Sequence, residues 1–299
     1  RRTYTLSSAP KMGGALRLTI KANKDGYVSR YVAEGLKVGD TVHAHAPAGD
    51  FTLQSKSEQS SVFISAGIGI TPMIAMAESL LDADSTALIR FLHASTQPAG
   101  TAFLADFRRW NQQYSNFDLA VAFSGLQDSD KPFPGALFPG AFNGRMTADW
   151  LSAQKLPLDG AFYLCGPQRF MQMVYDCLLE NGVADEQIHF EAFGPSSLQR
   201  ANPRPKKTYA PVEVQFTASD ETLMWNATDK SLLEVAEDNG IEAPFSCRTG
   251  SCGSCAVKLL TGKVTYEKIP AFPAAKDEVL VCCAVPVTDN ADEPLAIEL

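Results

Sequence analysis

The sequence predicts a multidomain chain in which a parallel α/β sheet precedes a smaller α+β unit. Three observations carry that prediction. Short apolar runs alternate with helical patterns between Val62 and Glu191. Two glycine turns each join an apolar run to a helical pattern. A tight set of cysteines lies near the C-terminal end, between strand-like and helix-like segments. Alternating strands and helices are the signature of a parallel sheet, because each parallel connection needs a crossover.

Size and composition set the bounds. The chain has 299 residues, room for two or three domains. Hydrophobic residues make up 45% and charged residues 20%, an ordinary globular balance. The formal net charge of −8 argues against nucleic acid as a partner. No apolar run approaches the length of a membrane span. Seven cysteines, an odd number of which a motif absorbs four, suit a reducing compartment and predict a cytoplasmic protein.

Val62–Ser65 is the first apolar run, and Ala66-Gly67-Ile68-Gly69-Ile70-Thr71-Pro72 follows it. Two glycines let backbone approach a pyrophosphate, and a helix starting at about Pro72 presents free N–H groups to it. Proline fits the first helical turn, where its missing N–H costs nothing. Further runs are expected at Leu88–His93, Leu119–Phe123 and Ala161–Cys165, with helices at Pro72–Leu81, Phe103–Tyr114 and Phe170–Asn181. Tyr163-Leu164-Cys165-Gly166-Pro167 is a second glycine turn after a strand. In open α/β sheets ligands bind at the carboxyl ends of the strands, where both turns would lie. After the second strand stands His93-Ala94-Ser95-Thr96-Gln97-Pro98, without Arg or Lys. A 2′-phosphate calls for a cation there, so NADH is favoured over NADPH. His43, His45, His93 and His189 are scattered and read as structural or surface residues, and Cys177 as core.

Pro195 to Lys207 is rich in proline, serine and basic residues and marks a linker. Beyond it, Val212–Thr217 and Thr222–Trp225 read as strands joined by a Ser219-Asp220 turn. Ser231–Asp238 reads as a short helix stopped by Asn239-Gly240. Leu259–Tyr266 holds a Thr-Gly turn, and Ala296–Leu299 is a final strand.

Within this unit lies Cys247-Arg248-Thr249-Gly250-Ser251-Cys252-Gly253-Ser254-Cys255, with 26 residues intervening before Cys282. C-x4-C-x2-C…C is the plant-type [2Fe–2S] ligand spacing. Gly250 and Gly253 allow left-handed angles and close approach of backbone to the cluster. A four-thiolate zinc site is the alternative, which the C-x4-C spacing disfavours. Cys282 and Cys283 compete as fourth ligand. Neighbours on a strand point to opposite faces, so one of them reaches the cluster.

These residues resemble known families. From about Val212 to Leu299 the chain resembles plant-type ferredoxins, which implies a β-grasp fold. It also implies Cys282 as the fourth ligand, because the last ligand of that family stands shortly before a proline, here Cys282-Cys283-Ala284-Val285-Pro286. The G-x-G-x-T-P and C-G-P turns resemble the ferredoxin–NADP reductase superfamily. That likeness implies Gly67, Gly69, Thr71 and Pro72 at a pyrophosphate, and Cys165, Gly166 and Pro167 at the nicotinamide edge. Arg2-Thr3-Tyr4-Thr5 resembles the same superfamily's R-x-Y-[ST] flavin motif, implying Arg2, Tyr4 and Thr5 as flavin contacts. Gly26-Tyr27-Val28-Ser29 resembles its flavin-phosphate element, implying Gly26, Val28 and Ser29. Pro47–Phe51 resembles the closing strand of the flavin barrel. Phe193, and more weakly Glu191, would lie near the flavin ring.

The implied organisation is a partial antiparallel β-barrel for flavin over 1–57, an NAD-binding α/β domain over 58–195, a linker over 196–211 and a ferredoxin domain over 212–299. The R-x-Y-[ST] motif stands at the chain's start, so the first strands of the barrel are expected to be missing and the chain to be a fragment. The implied activity is that of an NADH-dependent flavin/iron–sulfur reductase. FAD is favoured over FMN. The external acceptor is an oxygenase component or a hybrid-cluster protein. Two alternatives stand beside it: a non-enzymatic [2Fe–2S] carrier, and an oxidase that reduces a small molecule at the flavin.

Overall fold

The computed structural model describes residues 2–10, 14–44, 46–47, 49–54, 59–83, 86–126, 138–193, 198–200, 210–226, 230–250, 252–266, 270, 272–287 and 294–299. His45, Ala48, Gly194, Pro195, Ser251 and most of the expected linker lie outside these residues. The chain divides into two compact units. One comprises Tyr4–Asp40 with Phe51–Ala201, the other Arg1–Thr3, Thr41–Asp50 and Asn202–Leu299.

The first unit is built on six parallel strands: β1 (Ser61–Ala66), β2 (Ile89–Ser95), β3 (Phe117–Phe123), β4 (Ala141–Asn143), β5 (Ala161–Cys165) and β6 (Ile188–Glu191). Their order is β4-β3-β2-β1-β5-β6. Side chains alternate between two cores, as the period of two requires. Phe63, Phe91, Leu119 and Tyr163 pack with helices α2 (Ile70–Asp82) and α3 (Leu104–Gln113). Val62, Ile64, Leu92 and Phe162 pack with α4 (Ala148–Ser152) and α5 (Gln168–Glu180). Both faces being covered explains why these strands read as unbroken apolar runs. Each fully buried Phe or Ile contributes roughly 1.5–3 kcal/mol. Leu198 is buried in the second core, so the packed body runs past residue 196, where the linker was expected to begin.

Before Ser61 the described residues contain one helix, α1 (Tyr27–Glu34), and one isolated antiparallel bridge, Leu6 to Leu18. Ser7 N donates to Arg17 O at 2.8 Å, and the Ser7 and Thr19 hydroxyls meet at 2.8 Å. That bridge is the antiparallel pairing described in this stretch.

In the second unit a five-stranded sheet has the order β11-β9-β13-β7-β8. Its members are β7 (Val212–Phe216), β8 (Glu221–Trp225), β9 (Ala256–Thr261), β11 (Glu278–Leu280) and β13 (Leu295–Ile297). A separate pair joins β10 (Lys263–Tyr266) to β12 (Ala284–Val287). The β7–β8 hairpin turns at Asp220, whose φ is 53°. Helix α6 (Leu232–Asp238) is closed by a capping box: Glu234 N donates to Ser231 Oγ at 3.3 Å and Ser231 N to Glu234 Oε2 at 2.7 Å. The turn at Gly262 does not make a hairpin. β9 pairs with β11 and β13, whereas β10 pairs with β12. Gly262 is pressed against Leu295, where a Cβ would lie 2.9 Å from its Cα, and the chain leaves the sheet there. Among the described residues no helix is long and apolar enough to cross a membrane.

His93 is fully buried in β2, its Nδ1 2.9 Å from Ser65 Oγ. Burial lowers its pKa from 6.5 to about 4. The unfolded chain therefore binds a proton below pH 6.5 that the folded chain refuses until about pH 4. Stability contributed by the neutral imidazole is whole above that window and is lost as the pH falls through it, by about 3 kcal/mol. Denaturant titrations at pH 7 and pH 4.5 should show this loss, and His93→Gln should flatten it. An equal slope in both proteins would show that other groups set the acid limit.

Candidate functional site

The two glycine turns meet. β1 lies between β2 and β5, so successive connections leave it in opposite directions, and the crevice opens where the strand order reverses. Ser65 and Cys165 are register partners at that edge. A Cβ on Gly69 would lie 2.3 Å from Cys165 O and 2.8 Å from Gly166 N. A Cβ on Gly166 would lie 3.2 Å from Ala66 N. Backbone thus packs on backbone across the switch point, which no residue with a side chain permits. Gly67 serves differently: its φ is +55° and nothing stands within 4 Å of its missing Cβ.

Gly67–Gly69 forms a 3-10 turn that runs straight into α2. The helix therefore begins at Ile70, two residues before the expected start, and Pro72 stands third, still among the positions with orphan N–H groups. Thr71 Oγ1 donates to Ile68 O at 3.1 Å, so its hydroxyl closes the turn that shapes the site. Pro167 is the residue before α5, as Gly69 is before α2.

Beside these turns, Glu191 ends β6 as the register partner of Cys165. Thr5 Oγ1 donates to Glu191 Oε2 at 3.2 Å. Burial raises the Glu191 carboxyl above its ordinary range, and the Thr5 hydrogen bond partly opposes this. Burial, and then the Glu191 charge, push the Cys165 thiol well up. The edge thus holds a buried thiol beside a carboxyl whose pKa is raised by burial, steadied by Thr5. Tyr163 supports it from below: its hydroxyl accepts from Gln54 N at 2.7 Å, and its ring meets Phe51 at 6.1 Å and stacks on His189 at 5.3 Å. Phe193, just beyond, is 46% exposed. Of the residues singled out in sequence, Thr5, Gly67, Gly69, Thr71, Cys165 and Gly166 come together here. Arg2 is exposed and Tyr4 half-buried. Gly26, Val28 and Ser29 form a local turn, with Ser29 Oγ donating to Gly26 O at 3.1 Å and accepting from Asn23 N at 3.1 Å. Glu191 was the weaker choice in sequence, since its approach to Thr5 spans 186 positions.

In the other unit, Cys255 and Cys282 place their Sγ atoms 3.0 Å apart and are both buried. The neighbouring Cys247, Cys255 and Cys283 thiols hold that of Cys282 above the ordinary range, while the Cys282 contact lowers that of Cys255. None of the seven cysteines is in a disulfide. Left-handed angles at Arg248 (57°), Gly250 (72°) and Gly253 (68°) curl the loop, and Thr249 N lies 3.5 Å from Cys247 Sγ. Arg248, which carries a Cβ, is held in that conformation by both Glu237 carboxylate oxygens and by Phe245, whose ring centre lies 4.1 Å from its guanidinium carbon. Phe272 lies over Gly253, and its N–H donates to Gly250 O at 2.9 Å. Among the described residues no three His, Cys, Asp or Glu side chains surround a single metal ion. A two-iron group, which takes four cysteine sulfurs over two centres, suits such a set better than one zinc.

Comparison with known proteins finds three matching domains. Residues 1–53 match an oxidoreductase FAD-binding domain, 63–176 an oxidoreductase NAD-binding domain, and 215–287 a 2Fe-2S iron-sulfur cluster binding domain. The chain is 30% identical over 304 residues to the ferredoxin reductase component of 3-ketosteroid-9-alpha-monooxygenase from Mycolicibacterium smegmatis, covering 97% of this chain and 80% of that one. The chain belongs to the ferredoxin–NADP reductase superfamily. The reductase is also 27% identical over 308 residues to the glycine betaine monooxygenase reductase subunit of Chromohalobacter salexigens, covering 98% of this chain and 82% of that one. It shares its fold with phthalate dioxygenase reductase (24% identity, TM-score 0.53), over 100% of this chain and 83% of that one. The reductase is an oxidoreductase that moves electrons from a reduced pyridine nucleotide by way of flavin to a [2Fe–2S] cluster and on to an external acceptor.

Proposed function

We propose that the reductase oxidises NADH, holds FAD, and delivers single electrons to the oxygenase component of a multicomponent system. The observation that carries the nucleotide half is the backbone contact of the Gly69 and Gly166 turns beside the Thr5–Glu191 pair. NADH is favoured because the loop after β2 is polar and uncharged: Thr101 Oγ1 donates to Gln97 O at 2.8 Å and lies 2.7 Å from Ser95 Oγ. FAD is favoured by the FAD-binding match over residues 1–53. An oxygenase as acceptor is favoured by the relatives, which are reductase components of monooxygenases. The cysteines without disulfides suit a cytoplasmic setting.

A bound flavin would supply conversion of a hydride into single electrons, and a bound cluster one-electron transfer. The chain's own residues position and shield. Gly67, Gly69, Thr71 and Pro72 shape a turn whose free N–H groups receive pyrophosphate. Cys165, Gly166 and Pro167 bound the nicotinamide side, where a neutral buried thiol presents no charge to an incoming hydride donor. Thr5 and Glu191 line the flavin side, with Phe193 as cover and Arg2, Tyr4, Gly26, Val28 and Ser29 serving the rest of that cofactor. Cys247, Cys252, Cys255 and Cys282 would hold the irons. The corresponding division is a flavin domain over 1–57, a nucleotide domain over 58–195 and a ferredoxin domain over 212–299.

Anaerobic addition of NADH to purified holoprotein should bleach flavin and iron–sulfur absorbance together, and an added one-electron dye should then be reduced. Iron–sulfur bands indifferent to NADH would make the protein a carrier instead. Bleaching without dye reduction would favour direct chemistry at the flavin.

A further inference from the structure

The turn that carries Cys282 is held from two sides. On one side Val281 N donates to Cys255 O at 3.3 Å and Leu233 N, in α6, donates to Val281 O at 2.8 Å. On the other stands Tyr266. It ends β10 directly opposite Ala284, the first residue of β12. Its hydroxyl accepts from Leu280 N at 3.2 Å, the last residue of β11. Leu280 and Ala284 are the two ends of the turn, which Cys283 N closes by donating to Leu280 O at 3.1 Å. One side chain and its own backbone therefore span the segment that presents the fourth sulfur.

We propose that Tyr266 is a positioning residue for the iron–sulfur centre, clamping the Leu280–Ala284 turn and placing an O–H dipole beside the Cys282 sulfur so as to raise the cluster's reduction potential. The inference rests on Cys282 being a ligand. A phenol that accepts from Leu280 N keeps its own hydrogen to donate. Reduction adds negative charge to the cluster, and hydrogen bonds to its sulfurs stabilise that charge. Outer-shell groups of this kind hold ligands in orientation as well as tuning them.

The test is a spectroelectrochemical titration of Tyr266→Phe beside wild type, with the electron paramagnetic resonance spectrum of each reduced cluster. The phenylalanine keeps the ring and loses the hydroxyl. The ratio of reduced to oxidised cluster at a fixed potential should fall about fivefold, a shift of about 40 mV to more negative potential for one electron. The resonance of the reduced cluster should move as well. Flavin reduction by NADH in the same samples should match wild type, which shows that the other unit is folded. An unmoved midpoint and spectrum in iron-loaded Tyr266→Phe would overturn the proposal while leaving the cluster assignment intact. Wild-type protein without iron would overturn both. If Tyr266→Phe holds no iron, 3-fluorotyrosine at position 266 decides. It keeps the shape and strengthens the donor, so the midpoint should rise, and an unchanged midpoint overturns the proposal.

Discussion

Cys282→Ser is expected to abolish the iron–sulfur absorbance, whereas Cys283→Ser keeps it. The two cysteines are adjacent, yet the turn gives them different surroundings. Cys282 is 7% exposed, with its Sγ 3.0 Å from Cys255 Sγ. Cys283 is half-buried, its Sγ 3.6 Å from Leu280 O and close enough to Gly250 that a Cβ there would lie 2.9 Å away. Removing a ligand should cost more than the roughly 10–100-fold in metal affinity that outer-shell changes cost. Iron analysis and visible spectra of both variants, with dye reduction by NADH, make the comparison. NADH should still bleach the flavin of Cys282→Ser while dye reduction through the cluster disappears. Iron retained in Cys282→Ser and lost in Cys283→Ser would reverse the assignment.

Gly69→Ala is expected to be far more damaging than Gly67→Ala, although both change one glycine of the same turn. Gly67 has φ of +55° and open space, so alanine there meets only the left-handed penalty of about 1–2 kcal/mol. Gly69 has an ordinary helical φ of −61°, and its difficulty is space. A methyl group would sit 2.3 Å from Cys165 O and 2.5 Å from Cys165 C, and neither is a side chain that can swing away. The two turns must separate. Overpacking of this kind costs roughly 1–3 kcal/mol and sometimes more, and here it also widens the crevice that receives the nucleotide. Thermal melting and the KM for NADH of the two variants should both rank Gly69→Ala as the worse. Equal KM values would show that the contact of the turns does not shape the nucleotide site.

The local signals in this sequence were strong where the physics is local. Alternating apolar runs specified β1, β2, β3 and β5, because strands buried on both faces must be apolar throughout. The helix expected over Ser231–Asp238 forms as α6, and the structure adds the capping box of Ser231 and Glu234, whose hydrogen bonds close within four residues. The C-x4-C-x2-C spacing named three candidate ligands, because a loop that short leaves its thiols few places to go. Other features depend on residues far apart in the chain. That Gly69 and Gly166 stand back to back depends on β5 pairing beside β1, a strand order that no local pattern encodes. The approach of Thr5 to Glu191, the separate pairing of β9 and β10 about Gly262, and the hold of Tyr266 on Leu280 arise the same way. Spacing and periodicity determined which chemistry this chain carries. Tertiary packing alone decided which backbones touch and that Cys282 Sγ lies 3.0 Å from Cys255 Sγ, because those outcomes depend on contacts that close only when distant segments are brought together.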